Sequence, residues 1–157
     1  MPDDDPSYTQ TLKMLVDRSI FGIEETQSSP ELPYLRWAEM EMDSTPVRIG
    51  QGAIRFMSLA GTHYPLITIE VRSKPREPKG SGFELIGQGS YRSASGEASL
   101  FNIDGPELDF KLTPDSEYDL RVWRCGGDAA SQRYATLLGK VYPIEGIEEY
   151  LIQFIQK

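Results

Sequence analysis

Cysteine and histidine are almost missing from this chain. One cysteine, Cys125, and one histidine, His63, stand among 157 residues. A lone cysteine excludes an intramolecular disulfide framework and fits a reducing compartment. Together the two residues fall short of the donors a zinc site needs, and neither a metal nor a cofactor is expected. Long apolar runs are lacking too, with nothing near the ~18 residues of a membrane span. The start, MPDDDPSYTQ, is acidic and has no basic-then-apolar order of a signal peptide. These absences point to a cytoplasmic protein. Basic residues are also in deficit: 16 Lys and Arg face 24 Asp and Glu, for a net charge of −8. Direct nucleic-acid binding, in which basic groups replace phosphate counterions, is therefore not expected. A negative field suits a basic protein partner, and it also serves plain solubility.

The charge is unevenly laid out. Residues 1–45 carry −7, residues 46–92 carry +4 and residues 93–157 carry −5. The length suits one domain over 1–157, with an acidic N-terminal tail at 1–8, and a chain of this size buries enough surface to fold without staples. With 39% hydrophobic and 25% charged residues the composition is that of an ordinary globular protein.

Strand patterns dominate. GAIRFMSL, PLITIEV, FELIGQGSYRS, ASLFNI, ELDFKL, YDLRVWRC and EEYLIQF each show period-two alternation or β-branched and aromatic enrichment. Residues 12–25 read mainly as strand. Pro30 and Pro33 mark a loop at 28–34, and TPDSE at 113–117 is a turn. Residues 34–44 are ambiguous, and 126–134 reads as a flexible connection or a short helix. The glycines of FELIGQGSYRS suggest a bulge or a close backbone approach. Many short strands separated by turn signals predict an all-β fold: a single-domain antiparallel β-sandwich of about 7–9 strands with a short helix or irregular segment. IGQGAIR (49–55) and IGQGSYR (86–92) share five of seven residues. The similarity does not extend on either side, so it reads as coincidence.

Catalytic signals are weak. His63, just before Pro65, reads as an exposed turn residue with no partner supplied by a motif. Cys125 lacks a local activating motif and reads as a packed or edge thiol. Asn102, Asp104, Glu107 and Asp109 do not follow the EF-hand order and read as a turn. Both GQG stretches run into strand-like residues where a phosphate loop would open a helix. The basic loop RSKPREPKGSG (72–82) contains no aromatic residue and reads as a charged connection that protects a sheet edge, or as a contact for an acidic partner or phosphate.

Three segments carry a family resemblance. LRWAEMEMDSTPVRIGQGAIRF places a Trp ahead of a Gly-Ala-Ile-x-Phe strand. LDFKLTPDSEYDLRVWRC is a strand, a Pro/Asp turn and Tyr-x-Leu-x-x-Trp. EEYLIQF closes the chain. Together they resemble the competence protein J family of small bacterial β-sandwich proteins, from about Trp37 to the C-terminus. That resemblance implies a β-sandwich and, from the type member, binding and inhibition of a nuclease. The matching positions Trp37, Gly52, Ala53, Ile54, Phe56, Tyr118, Leu120 and Trp123 read as framework.

The expected function is thus a non-enzymatic, acidic inhibitor or immunity-type protein that binds a basic nuclease or toxin. The alternative is a general β-sandwich adaptor, and an enzyme built on His63 and Cys125 comes third. Candidate partner-binding residues are Asp115, Glu117, Asp119, Glu145, Glu148 and Glu149, with Arg121 and Trp123 as anchors of the kind found at interface hot spots. In YDLRVWRC, Tyr118, Leu120 and Val122 should face the core and Trp123 should point outward. The segment 126–146 or the Trp37 region is expected to fold across that outer face.

Overall fold

The computed structural model describes residues 6–26 and 36–157. The loop expected at 28–34 and most of the tail expected at 1–8 lie outside them. The strands are β1 (Tyr8–Lys13), β2 (Ile20–Glu25), β3 (Val47–Ile49), β4 (Ala53–Met57), β5 (Tyr64–Arg72), β6 (Phe83–Ser93), β7 (Glu97–Asn102), β8 (Gly105–Lys111), β9 (Ser116–Cys125) and β10 (Glu145–Gln156), and one helix, α1, spans Gly127–Leu137. They form two five-stranded sheets, in the orders β1-β5-β10-β9-β6 and β3-β4-β2-β7-β8. The all-β sandwich is as expected.

Several details differ from the sequence reading. There are ten strands among the described residues, not 7–9. The span 12–25 is divided: Arg18 and Ser19 adopt positive φ of 55° and 67°, and the chain passes from one sheet to the other across this bend. The sheets are not wholly antiparallel, because β10 pairs parallel with β5. A period of two fixes which face a residue occupies and is blind to strand direction. Nor does the tail reach residue 8, since the Ser7 N–H already donates to Val71 O at 2.8 Å.

The core between the sheets is apolar and aromatic. Phe21 stacks on Phe56 at 4.8 Å and meets the edge of Tyr150 at 5.0 Å. Phe154 is surrounded by Tyr91, Phe110 and Tyr118. Tyr118, Leu120 and Val122 are buried there, as the alternation predicts. The sheets approach each other closely where β6 faces β3. A Cβ at Gly87 would lie 2.6 Å from Val47 and one at Gly89 would lie 2.8 Å from Ile49. The glycines thus serve a close approach, and the ladder also shifts register between Leu85 and Gly87.

The outer face of the second sheet is covered by residues 36–45. Trp37 begins a short 3-10 turn, Trp37–Glu39, and packs with Met40 and Ala53. Its backbone N–H donates to Glu24 Oε2 at 3.1 Å. Asp43 then binds Arg48 and the fully buried Arg55. Gly22 makes room for the indole, because a Cβ there would fall 2.4 Å from the Trp37 ring. Gly22→Ala should displace Trp37 and cost about 1–3 kcal/mol by overpacking, read from the urea midpoint. The control Gly61→Ala, whose Cβ meets only the movable end of Tyr134 at 3.0 Å, should cost less.

Candidate functional site

The outer face of the first sheet holds most of the sequence-derived candidates. On β9 the outward residues are Glu117, Asp119, Arg121, Trp123 and Cys125, because Tyr118, Leu120 and Val122 point inward. The register places Trp123 between Leu85 of β6 and Leu151 of β10. Leu151 is buried, whereas Leu85 is 43% exposed. Trp123 itself is half-buried, and its Nε1–H donates to Gln153 Oε1 at 2.9 Å.

The segment that closes over this face is neither of the two expected. The Trp37 region lies on the other sheet, and residues 127–147 build a separate cluster of Ala60, Ile144, Ile147, Tyr134 and Leu137. The basic connection 73–82 covers the β5 and β10 part of this face. Gln153, 1% exposed, donates from Nε2 to Arg76 O at 2.7 Å and to Glu70 Oε1 at 3.1 Å. Arg72 Nε donates to Lys74 O at 3.2 Å. The loop is thus tied down through its own carbonyls by side chains of the sheet. It roofs a cavity of about 540 Å³ whose lining includes Arg76, Lys79, Phe83, Cys125, Glu149 and Leu151.

The acidic candidates fall into two groups. The β9–β10 register puts Asp119 opposite Ile155 and Cys125 opposite Glu149. Six residues of strand rise separate the groups, about 20 Å. Asp115, Glu117 and Asp119 each have a basic neighbour, namely Arg92, Lys157 and Arg121. At the far end Glu145 pairs with Lys13 at 3.0 Å. Glu149 is half-buried and lines the cavity.

Glu148 must be corrected. It is 2% exposed and turned inward, so it does not present a charge to a partner. Glu148 shares the parity of Tyr150, Ile152 and Phe154, so the alternation that turns them into the core turns it inward too; its charge, and not its period, suggested a surface site. Its carboxylate accepts from Ser58 Oγ at 2.5 Å, Leu59 N–H at 3.1 Å and Tyr150 OH at 2.9 Å. Burial pushes the Glu148 carboxyl up, but the contacts from His63, Ser58, Leu59 N–H and Tyr150 outweigh it and hold it below the usual glutamate range. Burial and the neighbouring Glu148 raise the Tyr150 phenol.

His63 belongs to the same cluster and is corrected likewise: it is 1% exposed, not a surface turn residue. It joins an isolated bridge to Val16 that carries it inside. Its Nε2 lies 2.8 Å from Ser58 Oγ and 3.4 Å from Glu148 Oε1. A hydroxyl, an imidazole and a carboxylate therefore meet, yet not as a nucleophilic triad. Hydroxyl and carboxylate share one ring nitrogen, whereas a relay needs them on opposite nitrogens. The group is also sealed from solvent. Its role is to fasten the β4–β5 connection to β10.

Gln153, Glu70 and the carbonyls of the basic loop were not singled out by sequence reasoning. Only the outward parity of Gln153 on β10 hinted at its position. Cys125 is half-buried at the cavity wall, with its thiol 3.8 Å from Ser81 O. Among the described residues no cluster of His, Cys, Asp and Glu could hold a metal ion, and no helix is long and apolar enough to cross a membrane.

Fold and covering segments together define a two-sheet β-sandwich whose outer faces are each overlaid by a loop of the same chain. The chain shares this fold with ComJ from Bacillus subtilis, inhibitor of the DNA degrading activity of NucA, at 17% identity and a TM-score of 0.59 over 98% of both chains. It is also similar to crocagin biosynthetic gene J, at 13% identity and a TM-score of 0.51 over 96% of this chain and 99% of that one. At these identities the likeness is one of fold, and at that level it agrees with the competence protein J resemblance in the sequence. No protein-family model and no curated protein matches the chain.

Proposed function

We propose that this chain is a non-enzymatic, single-domain binding protein of the cytoplasm that inhibits a basic nuclease. The observation that carries the reading is the end-to-end likeness to ComJ, a nuclease inhibitor, in a chain with a net charge of −8. An acidic surface imitates the phosphate field a nuclease is built to receive. The buried Ser58–His63–Glu148 cluster gives no support to a hydrolase.

The contact face in this proposal is the outer side of β9 and β6. Trp123 and Leu85 provide the apolar centre, with Arg121 beside them, and Asp115, Glu117 and Asp119 lie toward one end. The ion pairs of those acids are partly exposed and individually weak, so a partner's cations can replace the intramolecular ones at little cost. Glu145 and Glu149 extend the acidic surface at the far end.

The direct test is a nuclease assay with the product of a neighbouring nuclease gene, titrated with this protein at rising salt. Inhibition should weaken as salt screens the contact. Absence of both inhibition and complex formation at low salt would overturn the proposal. Trp123→Ala should lower affinity at least tenfold if Trp123 anchors the contact, a loss of about 1.4 kcal/mol or more. A thermal midpoint that stays within a few degrees would show that the loss is one of contact rather than of folding.

A further inference from the structure

The cavity beneath the basic loop has an unusual charge arrangement. Its floor is the outer face of β5 and β10, and its roof is the loop. On the floor, Glu70 and Arg72 are an internal pair at 3.4 Å, and Glu70 also accepts from Gln153. Glu149, by contrast, takes part in no ion pair or side-chain hydrogen bond among the described residues, although it lines the cavity. The same holds for the charged groups of Arg76 and Lys79 on the roof, and for Glu77 beside them. The roof is therefore net positive and the floor carries an unspent carboxylate.

Several cations elsewhere in the chain are paired. Arg48, Arg55, Arg92, Arg121, Arg124 and Lys157 all have acidic neighbours within 4.0 Å. Arg76 and Lys79 are exposed on the loop, and Glu149 on the floor is half-buried. The backbone at Arg76 and at Glu149 is fixed: Arg72 and Gln153 hold the carbonyls of Lys74 and Arg76, and Glu149 is in register with Cys125 on a paired strand. Phe83, Leu151 and Pro78 add apolar wall. A volume of about 540 Å³ falls in the range of small-ligand sites, which combine apolar walls with a few placed polar groups.

We propose that this cavity is a binding site for a short zwitterionic peptide. Glu149 receives the ammonium group, Arg76 and Lys79 receive the carboxylate, and the apolar body lies on Phe83 and Leu151. A peptide fits better than a simple anion, since an anion would leave Glu149 unpaired and facing it. It fits better than a simple cation, since Arg76 and Lys79 would then oppose binding. This site shares Glu149 with the edge of the proposed contact surface, but the reading does not depend on nuclease inhibition, and its test reads peptide binding alone.

The test is a calorimetric or NMR titration of the full chain with the free dipeptide Ala–Leu, its N-acetyl form and its C-terminal amide. The free dipeptide should bind saturably and at least about tenfold tighter than either blocked form, each block removing one charge contact. Glu149→Gln should erase the preference for the free amine while keeping that for the free acid. The double variant Arg76→Met/Lys79→Met should do the converse. Unchanged thermal midpoints show that both variants remain folded. No saturable binding of the free dipeptide up to about 10 mM, far weaker than a Kd near 1 mM would give, overturns the proposal. So does equal binding of all three forms, or variants that leave the matching preference intact.

Discussion

Glu148→Ala should be among the most destabilising single substitutions in this protein, at about 3–5 kcal/mol, because it strips a buried anion from donors that have no water to turn to. Ser58, the Leu59 N–H and the Tyr150 hydroxyl all donate to that carboxylate, and His63 faces it. The loss should be visible in chemical denaturation, and it should loosen the β4–β5 connection first in hydrogen exchange at Leu59. Glu148→Gln separates charge from shape. The folded carboxyl sits below the usual glutamate range, so its ionisation contributes stability that is present above the unfolded value and is lost as pH falls through the folded one. Wild-type stability should therefore decline with acidification from the ordinary glutamate range downward, and this decline should be shallower in Glu148→Gln. Identical acid limbs for the two proteins would show that Glu148 is not ionised in the fold.

Glu25→Ala should cost a similar amount, about 3–5 kcal/mol, for a related reason. Glu25 ends β2 in one sheet and is buried against the end of β6 in the other. It accepts from Tyr91 OH at 2.6 Å, Ser93 Oγ at 2.7 Å, and Ser95 Oγ and N–H at 2.9 and 3.2 Å. Burial, together with the Glu25 charge, raises the Tyr91 phenol, which keeps it a donor. Tyr91→Phe alone should cost about 1–3 kcal/mol, the penalty of removing one partner from a buried pair. Combined with Glu25→Ala it should add less than that, because the two share one interaction. Full additivity in the cycle would mean that the two side chains act independently.

Much of the sandwich was legible because burial of one sheet face imposes a period of two. Tyr118, Leu120 and Val122 could be assigned inward from YDLRVWRC alone, and so could Ile67, Ile69 and Val71 from PLITIEV. The glycines of FELIGQGSYRS announced a close approach, realised where Gly87 and Gly89 meet Val47 and Ile49. Glu148 and His63 failed for different reasons. Glu148 is in phase with Tyr150 and Ile152, and its charge alone suggested an outward place, whereas His63 sits in an isolated bridge that turns inward. An isolated bridge leaves no period to read.

Sequence by itself determined the all-β class, the inward faces of the main strands and the acidic excess, since alternation and composition are properties of the chain. It did not determine what covers the outer face beside Trp123. That required the two sheets to be assembled, which carried the basic loop from β5 over β10 to Gln153. A loop of prolines, glycines and charges has no periodicity that names its destination. Only the packed sheet beneath it supplies the partners, and with them the cavity between Glu149 and the loop's cations.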